Sequence, residues 1–267
     1  MHYREYEPHP SLKRYLKCYW TLEISRPTPQ YEWLRFLVEG IELTITLSEE
    51  IEFYTCDIKT DRYPHFCVHG PMTRTMHIRP ASEVALFGIC FRPGGAFPFF
   101  PYQISELVDK SIGVYDLWES KRLEVFHRVR NECETTKERI NHLDHYLLRQ
   151  FDIKQDTYLS VAVDVIEANK GQVNIDNLAR LIGLSARHLE RKFRARVGIS
   201  PKQFCRNLRF KNILTHRETS PSVSWASTAI SCGYYDQSHM INDFRHFTGT
   251  NPEIYFANGS LKNDFTF

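Results

Sequence analysis

Slid against itself by 51 positions, the C-terminal part of the chain sets Leu189 on Met240, Phe193 on Phe244, Gly198 on Gly249, Pro201 on Pro252 and Phe204 on Tyr255. Five matches at one offset are hard to attribute to chance, and they constrain the fold to two copies of one supersecondary unit. Upstream, Ala179 and Gly183 fall on Ala229 and Gly233 at an offset of 50, so the second copy carries one more residue in its turn. A loop tolerates such an insertion. Each copy reads as a helix ending in Gly, a turn with a capping residue, a second helix, then Gly-x-(Ser or Asn)-Pro. That is the helix-turn-helix layout, in which the small Ala lets the helices approach and the Gly makes the turn.

Start and stop signals support the helices. Asn174, Ser185, Ser200, Ser224 and Asp236 stand where an N-cap oxygen accepts orphan backbone N–H groups. Gly171, Gly183, Gly198, Gly233 and Gly249 stand where a helix ends in a left-handed residue.

In the first copy, Leu189, Phe193 and Val197 form an inward stripe at spacing four, which leaves Arg187, Glu190, Arg191 and Arg194 on the opposite face. Arginine can fork to guanine O6 and N7 in a major groove, and a carboxylate can accept from cytosine N4. The plainer alternative is a solvated face with Glu190 pairing Arg187 or Arg194. The second copy turns Met240 and Phe244 inward and leaves Gln237, Ser238 and Asn242 for base edges and Arg245 for a phosphate. Its polar, less basic surface should add less affinity, because phosphate neutralisation dominates binding strength. Between the copies, Pro201 to about Arg217 can form one helix of roughly 25 Å. Such a rod can hold two reading helices about one DNA turn, roughly 34 Å, apart. Lys202, Arg206 and Arg209 on it are phosphate candidates.

Charge supports a polyanionic partner. The net charge of the chain is only +2, yet residues 170 to 217 hold twelve Lys/Arg against Asp176 and Glu190, a local +10. Such asymmetry points to a nucleic-acid surface.

The first hundred residues have another character. "CYWTLEI", "WLRFLV", "IELTITL", "IEFYTC", "HFCVHG" and "EVALFGICF" are β-branched and aromatic, often alternating, after a short helical candidate at Ser11 to Leu16. They predict an antiparallel barrel or sandwich. From Leu117, Leu123, Phe126, Val129 and Cys133, then Ile140, Leu143, Leu147 and Phe151, recur at helical spacing. The expected hairpin packs between the domains, with a dimer interface as the alternative. The fold class is therefore α+β in two domains, with a β-rich unit over 1–116, a helical linker over 117–153 that ends at the polar "DIKQD" boundary (152–156), and an all-α unit over 154–267. No apolar run is long enough to span a bilayer and no signal peptide is evident, so a cytoplasmic chain is expected. Seven scattered cysteines without CxxC pairs predict free thiols.

These residues resemble the AraC/XylS-type bacterial transcription regulators, from about Val161 to Phe256. "NIDNLARLIGLSARHLERKFRARVGISPKQFCRNLRF" and "CGYYDQSHMINDFRHFTGTNP" carry the resemblance. It implies a non-enzymatic transcription regulator that binds double-stranded DNA as a monomer or homodimer, with RNA polymerase as a candidate partner. The base-reading roles then fall on Arg187, Glu190, Arg191, Gln237, Ser238 and Asn242. Trp225, Thr228 and Asn242 depart from the family pattern, which weakens the expected second half-site rather than the fold. "FRPGGAF" and "YDLWES" resemble a companion domain found in some of these regulators, implying a cupin-like barrel that senses a small-molecule effector or dimerises.

Other residue groups carry weaker signals. His65, Cys67 and His69 alternate, with His77 nearby, but no fourth metal ligand is fixed by spacing, and neither a metal nor another cofactor is expected. Arg92 is a carboxylate clamp or, as favoured, a partner for a backbone carbonyl. Phe97, Phe99, Phe100 and Tyr102 line a pocket or, as favoured, join the core. A metal- or small-molecule-binding cupin-like enzyme or sensor, with the helices as a mere interaction module, is the rival function. No nucleophile, base or paired-carboxylate signature supports it.

Overall fold

A computed structural model describes residues 2–25, 33–36, 40–48, 53–55, 58–60, 64–74, 76–80, 83–100, 102–149, 156–257 and 264–266. Most of the 152–156 boundary segment, the Cys56 thiol and the His77 side chain lie outside the described residues.

The N-terminal strands are β1 (His2–Tyr6), β2 (Leu16–Ile24), β3 (Trp33–Phe36), β4 (Glu42–Thr46), β5 (Phe53–Thr55), β6 (Ile58–Thr60), β7 (Phe66–His69), β8 (Met76–Pro80), β9 (Val84–Phe91) and β10 (Ser111–Gly113). A C-terminal β11 (Asp264–Thr266) joins them. They form a six-stranded sheet in the order β1-β2-β9-β4-β7-β10 and a five-stranded one in the order β11-β3-β8-β5-β6. Pairing is antiparallel except where β11 runs parallel to β3. The helix expected at Ser11 to Leu16 is instead a 3-10 turn, Pro10–Leu12, because Leu16 already enters β2 and is paired with Phe91.

On one face of the larger sheet, Leu43, Ile45, Phe66, Val68, Phe87 and Ile89 pack in a single core. The two helices α1 (Ser120–Asn131) and α2 (Thr136–Arg149) cover that face with Leu123, Phe126, Val129, Leu143 and Leu147. The hairpin expected between the domains therefore belongs to the sheet. Arg130 ties it down by donating to the carbonyls of Thr46 and Ser48, and Asp144 accepts from the Tyr19 hydroxyl at 2.8 Å. Phe100 is buried and lies tilted against the Trp118 ring, Phe97 and Phe99 are half-buried and pack on that core, and Tyr102 is exposed, so the expectation that these aromatics join the core holds in full only for Phe100.

The helical half comprises α3 (Thr157–Ala168), α4 (Ile175–Leu181), α5 (Ala186–Arg196), α6 (Pro201–Thr219), α7 (Trp225–Ser231), α8 (Gln237–Thr248) and α9 (Pro252–Ala257). Its core runs continuously from Leu159 to Tyr255. Helix α6 is the spine: Phe204 meets Phe193 of α5, and Phe210 lies between Phe244 and Phe247 of α8. No described helix is long and apolar enough to cross a membrane. The six cysteines among the described residues are free and buried.

Candidate nucleic-acid interface

Local chemistry dictates both helix pairs. Asn174, Ser185, Ser224 and Asp236 each accept a hydrogen bond from the backbone N–H three residues on, capping α4, α5, α7 and α8. Gly183 and Gly233 take the left-handed conformation at φ +74° and +80°, which a side chain would oppose. The turns then close alike: Leu184 N–H donates to Ala179 O, and Tyr234 N–H to Ala229 O, each at 2.9 Å. Ala179 and Ala229 are buried, which lets each helix pair approach.

The inward stripes fall where the repeat predicts. Leu189, Phe193 and Val197 are buried beneath α5, and Met240 and Phe244 beneath α8. Arg187, Glu190, Arg191 and Arg194 are exposed on α5, as are Ser238, Asn242 and Arg245 on α8, with Gln237 half-buried. Arg187 and Arg191 have no partner among the described residues, so both guanidiniums face solvent with their donors available. Arg194 donates to Glu190 Oε1 at 3.0 and 3.2 Å. Such an exposed i,i+4 pair is worth at most about 0.5 kcal/mol, so a ligand can displace it.

The rod is less open than its sequence suggests. Lys202 is exposed. Arg206, however, donates from Nε and Nη2 to Asp243 Oδ1 at 3.1 and 2.8 Å and from Nη1 to Gln203 at 3.1 Å. Arg209 donates to Gly171 O at 3.2 Å and lies over the Tyr234 ring. These two guanidiniums make hydrogen bonds within the domain rather than standing open to solvent as the phosphate candidates of the sequence were expected to. Lys192 and Arg196 likewise converge on Asp156, the N-cap of α3. Burial pushes the Asp156 carboxyl up, but the Lys192 ammonium, the Leu159 N–H and the Arg196 guanidinium outweigh it and hold the carboxyl below its ordinary value. Part of the local +10 is thus internal bonding rather than free surface.

Sequence reasoning passed over Tyr235. It is the extra residue of the second turn, it is 86% exposed, and it directly precedes the α8 cap. The shift of offset from 50 to 51 was its signal.

In the β-rich half, Arg92 pairs with carboxylates of α3, Asp164 at 3.1 Å and Glu167 at 3.3 Å, rather than with the backbone carbonyl expected. Glu42, Thr44, Thr46, Cys67 and His69 lie on the sheet face opposite α1 and α2 and are buried. His69 is held between the Thr44 hydroxyl (3.1 Å) and the Ser111 hydroxyl (2.8 Å). Among the described residues no three His, Cys, Asp or Glu side chains converge as a metal site.

Comparison with known proteins agrees with this geometry. Residues 178–258 match a helix-turn-helix domain family, and residues 4–113 match a domain of unknown function, DUF6597. The HTH-type transcriptional regulator MtrA of Neisseria gonorrhoeae is 29% identical over 99 residues, which cover 37% of this chain and 32% of that protein. The chain thus spans about a third of the length of that regulator. ToxT from Vibrio cholerae is 10% identical, over 89% of this chain and 97% of that one, with a TM-score of 0.48. A transcriptional regulator from Chromobacterium violaceum, described as containing an AraC-type DNA-binding domain, is 27% identical over 38% of this chain and 89% of that one, with a TM-score of 0.35. Within the helical half, residues 178–258 are thus similar to a helix-turn-helix domain family, and within the β-rich half residues 4–113 are similar to the DUF6597 family.

Proposed function

We propose that the chain is a sequence-specific, DNA-binding transcription regulator. The observation that carries this is the pair of helices α5 and α8, each buried along one stripe, each following a tight glycine turn, and each presenting exposed polar side chains outward. In such a motif the second helix enters the major groove and its N-terminal residues meet base edges. Arg187, Glu190 and Arg191 then read the first half-site. Gln237, Ser238 and Asn242 read the second, with Tyr235 beside them. Lys202, Arg194 and Arg245 are assigned to phosphates, which fix register without reading sequence. Helix α6 has nineteen residues, a rod of roughly 28 Å, suited to readers in successive major grooves about 34 Å apart.

On this reading the helical half, α3 to α9, binds DNA, and the β-rich body with α1 and α2 packed on it controls that binding in the cytoplasm. The convergence of Glu42, Thr44 and His69 on one buried face of the β-rich body supports a small-molecule effector site there, since such sites combine an apolar interior with a few placed polar groups. RNA polymerase and a second copy of the chain are the further partners of such a regulator.

Selection of bound sequences from random duplex DNA by the purified full chain tests the proposal. The expected result is a motif of two elements one helical turn apart, the first more tightly constrained. Recovery of no enriched motif at any salt concentration overturns it.

A further inference from the structure

The β-rich domain reaches the reading face of α5. A short 3-10 turn, Ile104–Leu107, packs directly on α5. Between them lies an open groove of about 1020 Å³. One wall is the reading face, with Arg187, Arg191 and Arg194, and the other is formed by Gln103 and Ser105. Both of these are exposed and uncharged. The ionisable groups of α5 in the groove are overwhelmingly basic, Glu190 being the one carboxylate that lines it among the described residues.

The contact that places the turn is built rather than casual. Gly198, just past α5, lies so close that a Cβ there would sit 2.9 Å from Pro71 and 3.0 Å from Ile104. The Arg196 guanidinium lies 4.7 Å over the Phe97 ring. Asn207 of α6 is buried and donates to the Met72 carbonyl at 3.1 Å. Three separate points of the first helix-turn-helix unit and its spine are thus fixed to the β-rich domain, at Phe97 and Ile104 in the connection that carries Gln103 and Ser105 and at Pro71 and Met72 in the β7–β8 connection.

A helix seated in a major groove has a sugar-phosphate strand on each side. On the side of the β-rich domain, that strand must enter the groove between α5 and the Ile104–Leu107 turn. We infer that Gln103 and Ser105 are part of the DNA interface, donating an amide N–H and a hydroxyl to phosphate oxygens of the strand flanking α5. This rests on the DNA-binding function proposed above. Uncharged amides and hydroxyls are ordinary phosphate donors, and here they complete a basic wall with a neutral one. The regulatory domain would then hold the first half-site jointly with the reader. Undocking it would remove contacts rather than uncover a helix.

The test uses the full chain and a duplex carrying the selected motif, with affinity measured by fluorescence anisotropy across a salt series. Gln103→Glu with Ser105→Asp should weaken binding about tenfold through repulsion of the strand. Gln103→Lys should tighten it several-fold and steepen the slope of log K against log[salt] by about 0.9, the value for one added phosphate contact. Both positions are exposed, and a melting curve checks that each variant folds. If the unaltered chain binds no duplex, the underlying function falls and this inference with it. If it binds and the acidic pair changes nothing, this inference alone falls. Tighter binding by Gln103→Ala with Ser105→Ala would also overturn it, by showing the turn to be an obstruction.

Discussion

Arginine at two neighbouring places does two different jobs in this chain, and the difference lies in what surrounds the guanidinium. Arg191 points from α5 into solvent without an internal partner among the described residues. Arg191→Ala should cost about 1–3 kcal/mol on the selected duplex and relax one base position, while leaving the melting temperature unchanged. Repeating the sequence selection with the variant checks it, and an unaltered motif would remove Arg191 from the readers. Arg206 instead holds Asp243, whose side chain is 8% exposed. Its loss strands a carboxylate in the core. Breaking a fully buried pair costs about 3–5 kcal/mol, and the partial exposure of Arg206 lowers the expectation to about 1–3 kcal/mol. A denaturant titration of Arg206→Ala reads that loss directly. From sequence alone both residues were exposed-face candidates on basic helices. The identity of the partner, thirty-seven positions away in the case of Asp243, is a tertiary fact that local periodicity does not contain.

At the level of elements, the helical half was legible because its boundaries are set by local chemistry. All five caps accept their N–H groups and all five predicted glycines have positive φ, so propensity and packing point the same way. The β half was legible in its strands but not in its faces. "ELTIT" alternates polar and apolar residues, the signature of a strand with one wet side, yet every residue of β4 is buried. Period two reports which residues share a face, not whether another layer covers it. The α1–α2 pair was misjudged for the same reason: its stripe as far as Leu147 is buried or packed on the core as read, with Phe151 outside the described residues, but a stripe does not name the surface it will meet. Between elements, the Asp156 contact with α5 carries a pH signature. Its carboxyl is depressed in the folded chain, so the stabilisation is present above the unfolded pKa and is lost as pH falls through the folded value. Asp156→Asn should therefore lower the melting temperature at neutral pH, and the gap from the parent should close as acid titrates that carboxyl. A gap that stays constant down to pH 2 would show that capping geometry alone matters there.

For the whole molecule the decisive question is how firmly the two domains are joined, because the reader α5 is shared between the helical core and the β-rich surface. Gly198 is the sharpest probe. At φ +98° and with Pro71 and Ile104 against it, an added methyl must both strain the backbone and part the domains. Gly198→Ala should destabilise the chain by about 1–3 kcal/mol. Hydrogen exchange should accelerate across residues 97–107 before it does in the α6 core. Uniform acceleration of both would mean that the domains unfold as one unit. The parallel pairing of β11 with β3 adds a constraint of another kind. A domain appended by a single covalent connection can swivel about it, whereas this one is attached to the β-rich body at both of its ends, by the chain leading into α3 and by the β11 ladder. It is therefore mounted like a door between two hinges rather than a flag on one pole, and a motion that carries a signal to the DNA without peeling β11 from the sheet turns about the axis those attachments define and must release the latch of Gly198, Asn207 and Arg92 contacts between them.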